Sequence, residues 1–390
     1  MSKLVLKRGR ANPLWHGHPW VYSGAVEREE GTSEAGDVVE VHDADGRFIG
    51  RGFVNPRSQI RVRMLTRKDE AIDAAFLAGR LAEAKALRAR LNLPSDKTTA
   101  YRLVNAEGDA LPGLVVDVYG DVAAVQFTAL GMKQLEELVF DEVKKLIGAR
   151  AVMEVSAGGF AQVEGFGSAT RTVRGDEVTT VRCRENGIDL EVEPLHGQKT
   201  GMFLDQRDNR RRLAEFSRGA RVLDVYTYAG GYALNALAGG AVSATCVDSS
   251  SRAIERVKRH AEINKLGPLE AIEADAFRFL EQAKPRSYDL VILDPPKFAR
   301  ARKDLDPALK GYERLNALAL NACAPNALFA TCSCSQNVDE ETFERVIAAA
   351  GQAAGRRVKI LEVASQGPDH PVPPAFPEGR YLKFVLCQVV

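Results

Sequence analysis

The pattern of apolar and polar positions divides the first half of the chain into two stretches. Residues 1–69 contain short runs with a period of two, and the turn Asp43-Ala-Asp-Gly46 separates VVEVH from FIGRGF, which predicts a β-hairpin. Residues 70–184 combine an Ala- and Leu-rich helical segment at 70–93, closed by Pro94, with strand-like pieces that Gly and Pro separate. The pattern predicts a small β-rich domain over 1–69 and a small α+β domain over 70–184.

The remaining stretch, residues 185–390, alternates strand-like and helical segments. Apolar runs at 221–225, 244–248, 269–274, 288–294 and 327–332 are separated by helical segments at 232–238, 252–264, 277–283 and 315–322. Such alternation predicts an α/β domain with a parallel, doubly wound sheet. Ligands of these sheets bind just past the carboxyl ends of the strands. We therefore expect the chemistry to lie in the residues that follow these runs.

The first run ends at Asp224 and leads into a turn that contains Gly230 and Gly231. Adjacent glycines at a strand-to-helix turn let a ligand approach the backbone closely. The turn lacks the G-x-G-x-x-G pattern of dinucleotide sites, which argues against a nicotinamide dehydrogenase. Acidic residues end the next two runs: Asp248 could accept both hydroxyls of a ribose, and Asp275 could meet the amino group of an adenine.

Each aspartate has an alternative role, because Asp at a strand end often caps the following helix. Together with the glycine turn, however, these residues are typical of a class I methyltransferase that holds S-adenosylmethionine. The cofactor-binding residues predicted at the strand ends are Asp224, Tyr226, Gly230, Asp248, Ser249, Asp275, Ala276 and Asp294.

The polar segment 196–210, just before the first run, is predicted to be a loop. It has no apolar period and is placed where it could fold over the cofactor. Its candidate cofactor contacts are Lys199, Thr200, Phe203 and Asp205. Positive charge is added by Arg207, Arg210, Arg211 and Arg212, of which the last three are expected on a solvated helix face.

Two further apolar runs end in residues suited to catalysis. The run LVILDPPKF contains Asp294, and ALFATCSCS ends in a cysteine cluster. Carbon 5 of cytosine becomes nucleophilic once a thiolate adds at carbon 6, and the charge that develops at N3 needs a partner. We interpret Asp294 as the N3 partner and Cys332 or Cys334 as the thiol. This pair predicts methylation at carbon 5 of a pyrimidine.

Alternatives stay open for these residues. A free cysteine is most often a small buried apolar residue, which applies more strongly to Cys332 at the strand end than to Cys334. Amino-group methyltransferases use a turn similar to Asp-Pro-Pro with an aromatic residue next, where this chain has Lys297 before Phe298. Methylation of a guanine nitrogen in RNA, which needs no thiol, is the second hypothesis. A non-catalytic RNA-binding protein that retains a cofactor pocket is the third.

Local charge is more informative than total charge. The 390 residues carry 53 basic and 52 acidic side chains, a net charge of +1, which predicts neither nucleic-acid nor membrane binding. The window 47–68, by contrast, has seven Arg and Lys residues and no Asp or Glu. Within it, Arg57, Arg61 and Arg63 share one face of a period-two strand. That face is either an ordinary solvated surface or a contact with an RNA backbone.

Cysteine use and the N-terminus favour a cytoplasmic protein. The six scattered cysteines include no C-x-x-C pair, so we expect no metal site, and their number fits a reducing compartment. The segment MSKLVLKRGR lacks the apolar core of a signal peptide, and no apolar run reaches the length of a membrane helix. We therefore expect no membrane partner.

Several motifs in combination resemble the large-subunit ribosomal RNA cytosine-C5 methyltransferase family of bacteria. They are GQKTGMFLDQRDNR, LDVYTYAGG, LDPPKF, TCSCS and DHPV…PEGRYLKF, with HPWVYSGAV and YRLVNAEGDALPGLVVDVYG nearer the N-terminus. The resemblance covers nearly the whole chain. It implies an N-terminal PUA domain, a central strand–helix domain and a Rossmann-like catalytic domain over 185–390. It also implies S-adenosylmethionine as methyl donor and a cytosine of 23S rRNA as target.

The resemblance also assigns individual residues. The cysteine of the family's S-C-S motif corresponds to Cys334, which makes Cys334 the expected nucleophile. PUA modules bind RNA, which favours an RNA contact for Arg57, Arg61 and Arg63. The wider RNA cytosine-C5 methyltransferases commonly carry Cys after Pro-Pro, where this chain has Lys297, and we expect Lys297 to face the RNA. Family members often dimerise, so a homodimer is a further expectation.

Overall fold

The computed structural model describes residues 1–167, 169–195, 197, 200–298 and 304–390. The chain forms two compact units. The first consists of Met1–Gly187, Glu191–Leu204 and Pro368–Gly379. The second consists of Ile188–Leu190, Asp205–Gly367 and Arg380–Val390. The three-domain division expected from the sequence stays a prediction.

The first unit contains a six-stranded β-sheet, a five-stranded β-sheet, one strand of a further two-stranded sheet, and five α-helices within its described residues. The strands are β1 (Lys3–Leu6), β2 (Trp20–Tyr22), β3 (Val26–Glu30), β4 (Val38–His42), β5 (Phe48–Val54), β6 (Ile60–Thr66), β7 (Ala100–Asn105), β8 (Leu114–Tyr119), β9 (Val122–Phe127), β10 (Ala151–Glu154), β11 (Arg171–Gly175) and β12 (Val181–Glu185). The helices are α1 (Asn12–Trp15), α2 (Ala74–Arg90), α3 (Leu130–Gln134), α4 (Glu136–Ile147) and α5 (Gly159–Glu164).

The N-terminal sheet has the strand order β2-β6-β5-β4-β1-β3. The predicted hairpin is confirmed, because β4 and β5 pair antiparallel on either side of Asp43–Gly46. The buried carboxylate of Asp43 accepts the backbone N–H groups of Asp45 at 3.0 Å and Arg47 at 2.9 Å, and Gly46 adopts φ +80°. The two hydrogen bonds to the Asp43 carboxylate and the left-handed backbone of Gly46 thus fix the turn, and the turn sets the register of the two strands.

The second sheet of the first unit has the order β11-β10-β9-β8-β7. Helices α2 and α4 cover it with an apolar core that includes Leu77, Leu81 and Phe140. Helix α2 begins where the Asp73 carboxylate accepts the N–H of Phe76 at 2.9 Å, as expected of a good N-cap. The helix ends four residues before Pro94, so the predicted closing signal is confirmed to within a turn.

The second unit is an α/β fold around a seven-stranded sheet. Strand β13 (Ile188–Val192) comes before this sheet in the chain and is not part of it. The seven strands of the sheet are β14 (Arg221–Val225), β15 (Ser243–Asp248), β16 (Leu269–Glu273), β17 (Tyr288–Leu293), β18 (Cys323–Ser333), β19 (Val358–Ala364) and β20 (Lys383–Val389). Its helices are α6 (Arg207–Ala214), α7 (Gly231–Ala238), α8 (Ser251–Asn264), α9 (Ala276–Gln282), α10 (Leu305–Ala322) and α11 (Glu340–Ala353).

The sheet of the second unit has the order β16-β15-β14-β17-β18-β20-β19, and the first five of these strands are parallel. Both faces are buried: Val291 and Leu293 of β17 pack in one apolar cluster, and Leu290 and Ile292 pack in the other. A strand buried on both faces reads as a continuous apolar run, as LVIL does. The predicted doubly wound Rossmann-like sheet is confirmed.

Three parts of this unit differ from the expected pattern. The predicted loop 196–210 becomes helical at its end, where α6 begins at Arg207. Helix α10 begins at Leu305, ten residues before the predicted segment at 315. Strand β20 pairs antiparallel with β18 and β19 at one side of the sheet.

Within the described ranges, no helix combines the length and apolar character that a membrane span needs.

Candidate active site

The order of chain connections reverses between β14 and β17, the adjacent central strands of the second unit. Val225 pairs with Leu293, so Tyr226 and Asp294 follow neighbouring strand ends. The N–H of Asp294 donates to the carbonyl of Val225 at 3.4 Å. A parallel sheet opens a crevice at such a switch point. The residues after β14, β15, β16, β17 and β18 therefore define the candidate site.

The turn after β14 is organised around a buried carboxylate. Oδ2 of Asp224 accepts the Thr227 hydroxyl at 2.7 Å and the N–H of Ala233 at 3.1 Å. Oδ1 is buried and has no hydrogen-bond partner among the described residues. Burial raises the pKa of Asp224 to about 7. Asp224 therefore joins the turn to the first turn of α7.

The backbone of this turn is unusual. Tyr226 and Tyr228 adopt φ +63° and +53°, and Gly230, at the start of α7, adopts φ +80°. Left-handed backbone costs free energy in residues other than glycine, and it concentrates at ligand-binding sites. The N–H of Tyr228 donates to Oδ2 of Asp248 at 3.0 Å, so the carboxylate at the end of β15 holds the turn in place.

The two carboxylates predicted to meet an adenosyl group lie beside this turn. Each oxygen of Asp248 accepts one backbone N–H, from Tyr228 and from Ser250, which leaves lone pairs for ribose hydroxyls. Asp275 caps α9 through Oδ1, which accepts the N–H of Arg278 at 3.0 Å. Its other oxygen accepts no hydrogen bond from the described residues. Asp275 can therefore cap the helix with Oδ1 and still offer its other oxygen to an adenine amino group.

Tyr226 lies among these carboxylates. Burial raises the pKa of Tyr226 to about 12, and the charges of Asp275 and Asp248 contribute in the same direction. The three side chains therefore occupy one neighbourhood at the carboxyl ends of β14, β15 and β16. Two acidic acceptors and a half-buried aromatic ring fit the ribose and the adenine of an adenosyl group. Ala276 is buried in the first turn of α9, and Ser249 is exposed beside Asp248.

Asp294 is oriented by a buried amide. Nε2 of Gln206 donates a hydrogen bond to Oδ2 of Asp294 at 3.0 Å, and Oε1 of Gln206 accepts a hydrogen bond from Nδ2 of Asn209 at 2.6 Å. Gln206 is 2% exposed, so its amide is held by packing as well as by hydrogen bonds. Asp294 itself is half-buried. The arrangement fixes one carboxylate oxygen and leaves the group within reach of the crevice.

The cysteines separate by burial. Of the six, all of which the structure describes, five are buried and Cys334 is partly exposed. Burial, and next the charge of Asp294, raise the pKa of the Cys332 thiol well above its usual range. The Sγ atom of Cys332 also lies 3.9 Å from the Tyr232 hydroxyl, inside the core. A thiolate is therefore disfavoured at Cys332, and Cys334 is the accessible thiol at this edge of the sheet.

The segment that carries Cys334 is fixed on both sides. The hydroxyl of Tyr312 contacts Oγ of Ser335 at 3.1 Å and accepts the Ser333 hydroxyl at 3.2 Å. Nζ of Lys383 donates to the carbonyls of Ser335 at 2.7 Å and Tyr381 at 2.8 Å. Its flanking residues are therefore anchored while the thiol of Cys334 stays partly exposed.

Comparison with known proteins identifies the class of site. Residues 4–67 match the PUA-like domain family, and residues 160–341 match the S-adenosylmethionine-dependent methyltransferase family. A protein of Alteromonas mediterranea named ribosomal RNA large subunit methyltransferase I is 38% identical, over 100% of this chain and 99% of that protein. The chain belongs to the ribosomal RNA large subunit methyltransferase I family. Its cofactor is S-adenosylmethionine.

Solved structures share the fold of this chain. A putative S-adenosylmethionine-dependent methyltransferase from Streptococcus mutans superposes with a TM-score of 0.85 at 22% identity, and each chain is covered completely. A putative methyltransferase complexed with SAH gives the same TM-score at 21% identity. At this level of identity the likeness shows the fold alone, and the roles of individual residues rest on the geometry above.

The residues predicted from segment 196–210 fall in different places. Lys199 lies outside the described residues. Thr200 is buried in the first unit, where its hydroxyl donates to Asp117 and contacts the Tyr119 hydroxyl at 3.1 Å. These bonds give Thr200 a structural role, and its predicted cofactor contact stays a prediction. Phe203 is half-buried in the first unit, and Asp205 in the second accepts the Tyr381 hydroxyl at 2.6 Å.

The arginine strand is less uniform than its alternation predicts. Arg63 is only 8% exposed and pairs with Glu107 at 3.0 Å and Glu164 at 3.2 Å, so its expected place on an open face is wrong. Arg61 is half-buried and pairs with Glu29 at 3.0 Å. Arg57 is exposed and forms no ion pair with a described residue. Arg57 lies in the turn before β6 rather than on the strand, so its predicted place on that strand face is wrong, but its exposed side chain is the best placed of the three to meet a phosphate.

Three residues of the site carry no signal in the local sequence pattern. Gln206 and Lys383 reach it through packing between segments distant in the chain. Arg210, expected on a solvated face, is instead buried, with its guanidinium 5.7 Å from the centre of the Tyr232 ring. Arg211 and Arg212 are more exposed, as expected. Lys297 is exposed, just after the Pro-Pro turn.

Proposed function

We propose that the chain methylates carbon 5 of a cytosine in 23S ribosomal RNA, with Cys334 as a covalent nucleophile. The relative from Alteromonas mediterranea is named for ribosomal RNA of the large subunit, which supports this class of substrate. The choice of carbon 5 depends on one observation: Cys334 is the one cysteine of six that is not buried, and it follows β18, the strand beside β17 and Asp294. Amine methylation needs no such thiol.

The chemistry follows from the positions of the two side chains. The target cytosine must leave its stack to enter the crevice. The thiolate of Cys334 adds at carbon 6, and Asp294, carrying or sharing a proton, stabilises the charge that develops at N3. Gln206 keeps the Asp294 carboxyl group in a fixed orientation during this step. Carbon 5 then has the electron density needed to attack an electrophilic methyl group.

S-adenosylmethionine supplies that methyl group when bound. Asp248 and Asp275 are proposed to hold its ribose and adenine, and the turn around Tyr226 and Gly230 to enclose it. After transfer, the proton on carbon 5 passes to a base. The electron pair of that C–H bond restores the ring double bond as the sulfur–carbon bond to Cys334 breaks. The methyl group thus remains on carbon 5 and the free thiol is recovered.

RNA contacts are proposed at Arg57 in the first unit and, independently, at Lys297 in the second. Both side chains are exposed. Phosphate contacts of this kind position an RNA without reading its sequence. Lys297 follows the Pro-Pro turn directly, so its ammonium group is available to the nucleotide that flanks the target.

The product identifies the reaction. Unmodified 23S rRNA would be incubated with the protein and methyl-labelled S-adenosylmethionine, then digested to nucleosides and separated by chromatography. We expect the label in 5-methylcytidine. Cys334→Ser should abolish labelling, while Cys332→Ser, changed in the neighbouring buried thiol, should retain most of it. Label in a methylguanosine, undiminished in Cys334→Ser, would overturn the proposal and favour the guanine-nitrogen reaction.

A further inference from the structure

We propose that Lys383 is a positioning residue for Cys334, whose ammonium group holds the thiol of Cys334 in its thiolate form. Because Cys334 is a nucleophile only under the proposed function, this role depends on that function. Lys383 begins β20 and pairs in register with Ser333, the residue before Cys334. Its Nζ donates to the carbonyl of Ser335, the residue after Cys334, at 2.7 Å. The ammonium group therefore lies against the segment that carries the thiol.

The placement of this lysine is unusual for an ordinary structural residue. Lys383 is only 6% exposed, and no carboxylate lies within 4.0 Å of Nζ among the described residues. Buried lysines are rare unless paired with a negative group. Two of its three N–H donors are used by the carbonyls of Ser335 and Tyr381. A thiolate at Cys334 would supply the missing negative charge.

Four titratable groups face this ammonium group or the segment that it anchors. They are Cys334 after β18, Lys297 after β17, Asp339 at the start of α11 and Tyr312 on α10. Burial, and with it the charge of Lys297, lowers the pKa of Lys383 to about 8, although the charges of Cys334 and Asp339 act in the opposite direction. Lys383 is therefore mostly protonated at neutral pH. In that state it favours the charged form of a neighbouring thiol.

The pH dependence of alkylation measures this effect without any methyl transfer. The full-length protein would be treated with iodoacetamide over a range of pH, and modification of Cys334 followed by mass spectrometry with fragment ions that separate it from Cys332. Lys383→Gln keeps a donor for the two carbonyls but removes the charge. We expect its alkylation midpoint to rise by about one pH unit or more. Lys383→Arg, which keeps the charge, should stay close to the unchanged protein.

Lys359 provides a matched control, because it is an exposed lysine on the neighbouring strand β19. Lys359→Gln should leave the profile of Cys334 unchanged. Superimposable profiles for Lys383→Gln and the unchanged protein would overturn the role of Lys383. If Lys383→Gln unfolds, the comparison of Lys383→Arg with Lys359→Gln decides, and a raised midpoint in the arginine variant contradicts the proposal. Failure of the proposed function would be seen in a different experiment, the product assay, as the absence of 5-methylcytidine.

Discussion

The ionisation of Asp224 is coupled to folding, because its carboxyl group is buried in the site. Its folded pKa of about 7 lies above the value of about 3.9 for an unfolded aspartate, so the folded state binds a proton that the unfolded state releases between these values. The contribution of the protonated carboxyl is therefore complete below about pH 4 and is lost as the pH rises through about 7. The full difference corresponds to about 4 kcal/mol.

Asp224→Asn should remove this pH dependence. Relative to the unchanged protein, the variant should gain thermal stability between pH 5 and pH 8, measured as the difference in Tm at each pH. Asp289→Asn is the control: the hydrogen bond from Arg221 lowers the pKa of Asp289, so this carboxylate is charged throughout the window and its loss should shift Tm by the same amount at every pH between 5 and 8. Parallel Tm curves for Asp224→Asn and the unchanged protein would contradict the assignment of a protonated, buried carboxyl group.

Gln206 is expected to act on catalysis through Asp294. Gln206→Leu removes the donor to Oδ2 of Asp294, and loss of such a bond to a partly buried acceptor costs about 1–3 kcal/mol. We expect kcat for rRNA methylation to fall roughly 10- to 100-fold, with the alkylation profile of Cys334 unchanged. Arg211→Gln, a change at an exposed position on α6, should leave kcat as it is. Equal kcat for Gln206→Leu and Arg211→Gln would exclude this role.

At the scale of elements, strand β6 shows why an alternating pattern is ambiguous. Period two places Arg61 and Arg63 on one face, but it does not say what covers that face. Here, carboxylates from distant parts of the first unit cover it: Glu29, Glu107 and Glu164. None of these partners lies near the arginines in sequence. A basic window in the chain thus became, in part, a set of internal ion pairs.

Arg57 and Arg63 should therefore respond differently to the same substitution. Arg57→Gln should weaken rRNA binding and reduce the slope of log affinity against log salt by about 1, with stability unchanged. Arg63→Gln leaves two carboxylates without their partner and should destabilise the first unit by about 3 kcal/mol. Salt-dependent binding assays and chemical unfolding measure the two effects. The reverse assignment of these effects would show that β6 meets the RNA through its buried arginine.

The same contrast between local and distant information applies to the second unit. The runs at 221–225 and 288–294 predict β14 and β17 almost to the residue, because strands buried on both faces are continuous in apolar character. Strand β20 has no such local signature of its position. It enters the sheet by antiparallel pairing with β18, and this pairing brings Lys383 to Ser333.

Across the whole molecule, sequence predicts which chemistry the site contains better than it predicts how the site is held. The carboxylates of Asp224, Asp248 and Asp294 lie at strand ends, as expected from the rule that ligands meet the carboxyl edge of a parallel sheet. The bond from Gln206 to Asp294 spans 88 residues, and no periodicity encodes such a contact. Burial, which separates Cys332 from Cys334, likewise emerges only after packing.

The covalent role of Cys334 is the central claim for the molecule, and one trapping experiment tests it most directly. The protein and S-adenosylmethionine would be incubated with 23S rRNA transcribed with 5-fluorocytidine, and a denaturant-stable protein–RNA band sought by electrophoresis. Fluorine at carbon 5 blocks the final elimination, so a thiol adduct should persist.

We predict a stable band for the unchanged protein and for Cys332→Ser, and none for Cys334→Ser. Absence of a band with the unchanged protein, while ordinary 23S rRNA still accepts methyl groups, would contradict covalent catalysis by Cys334.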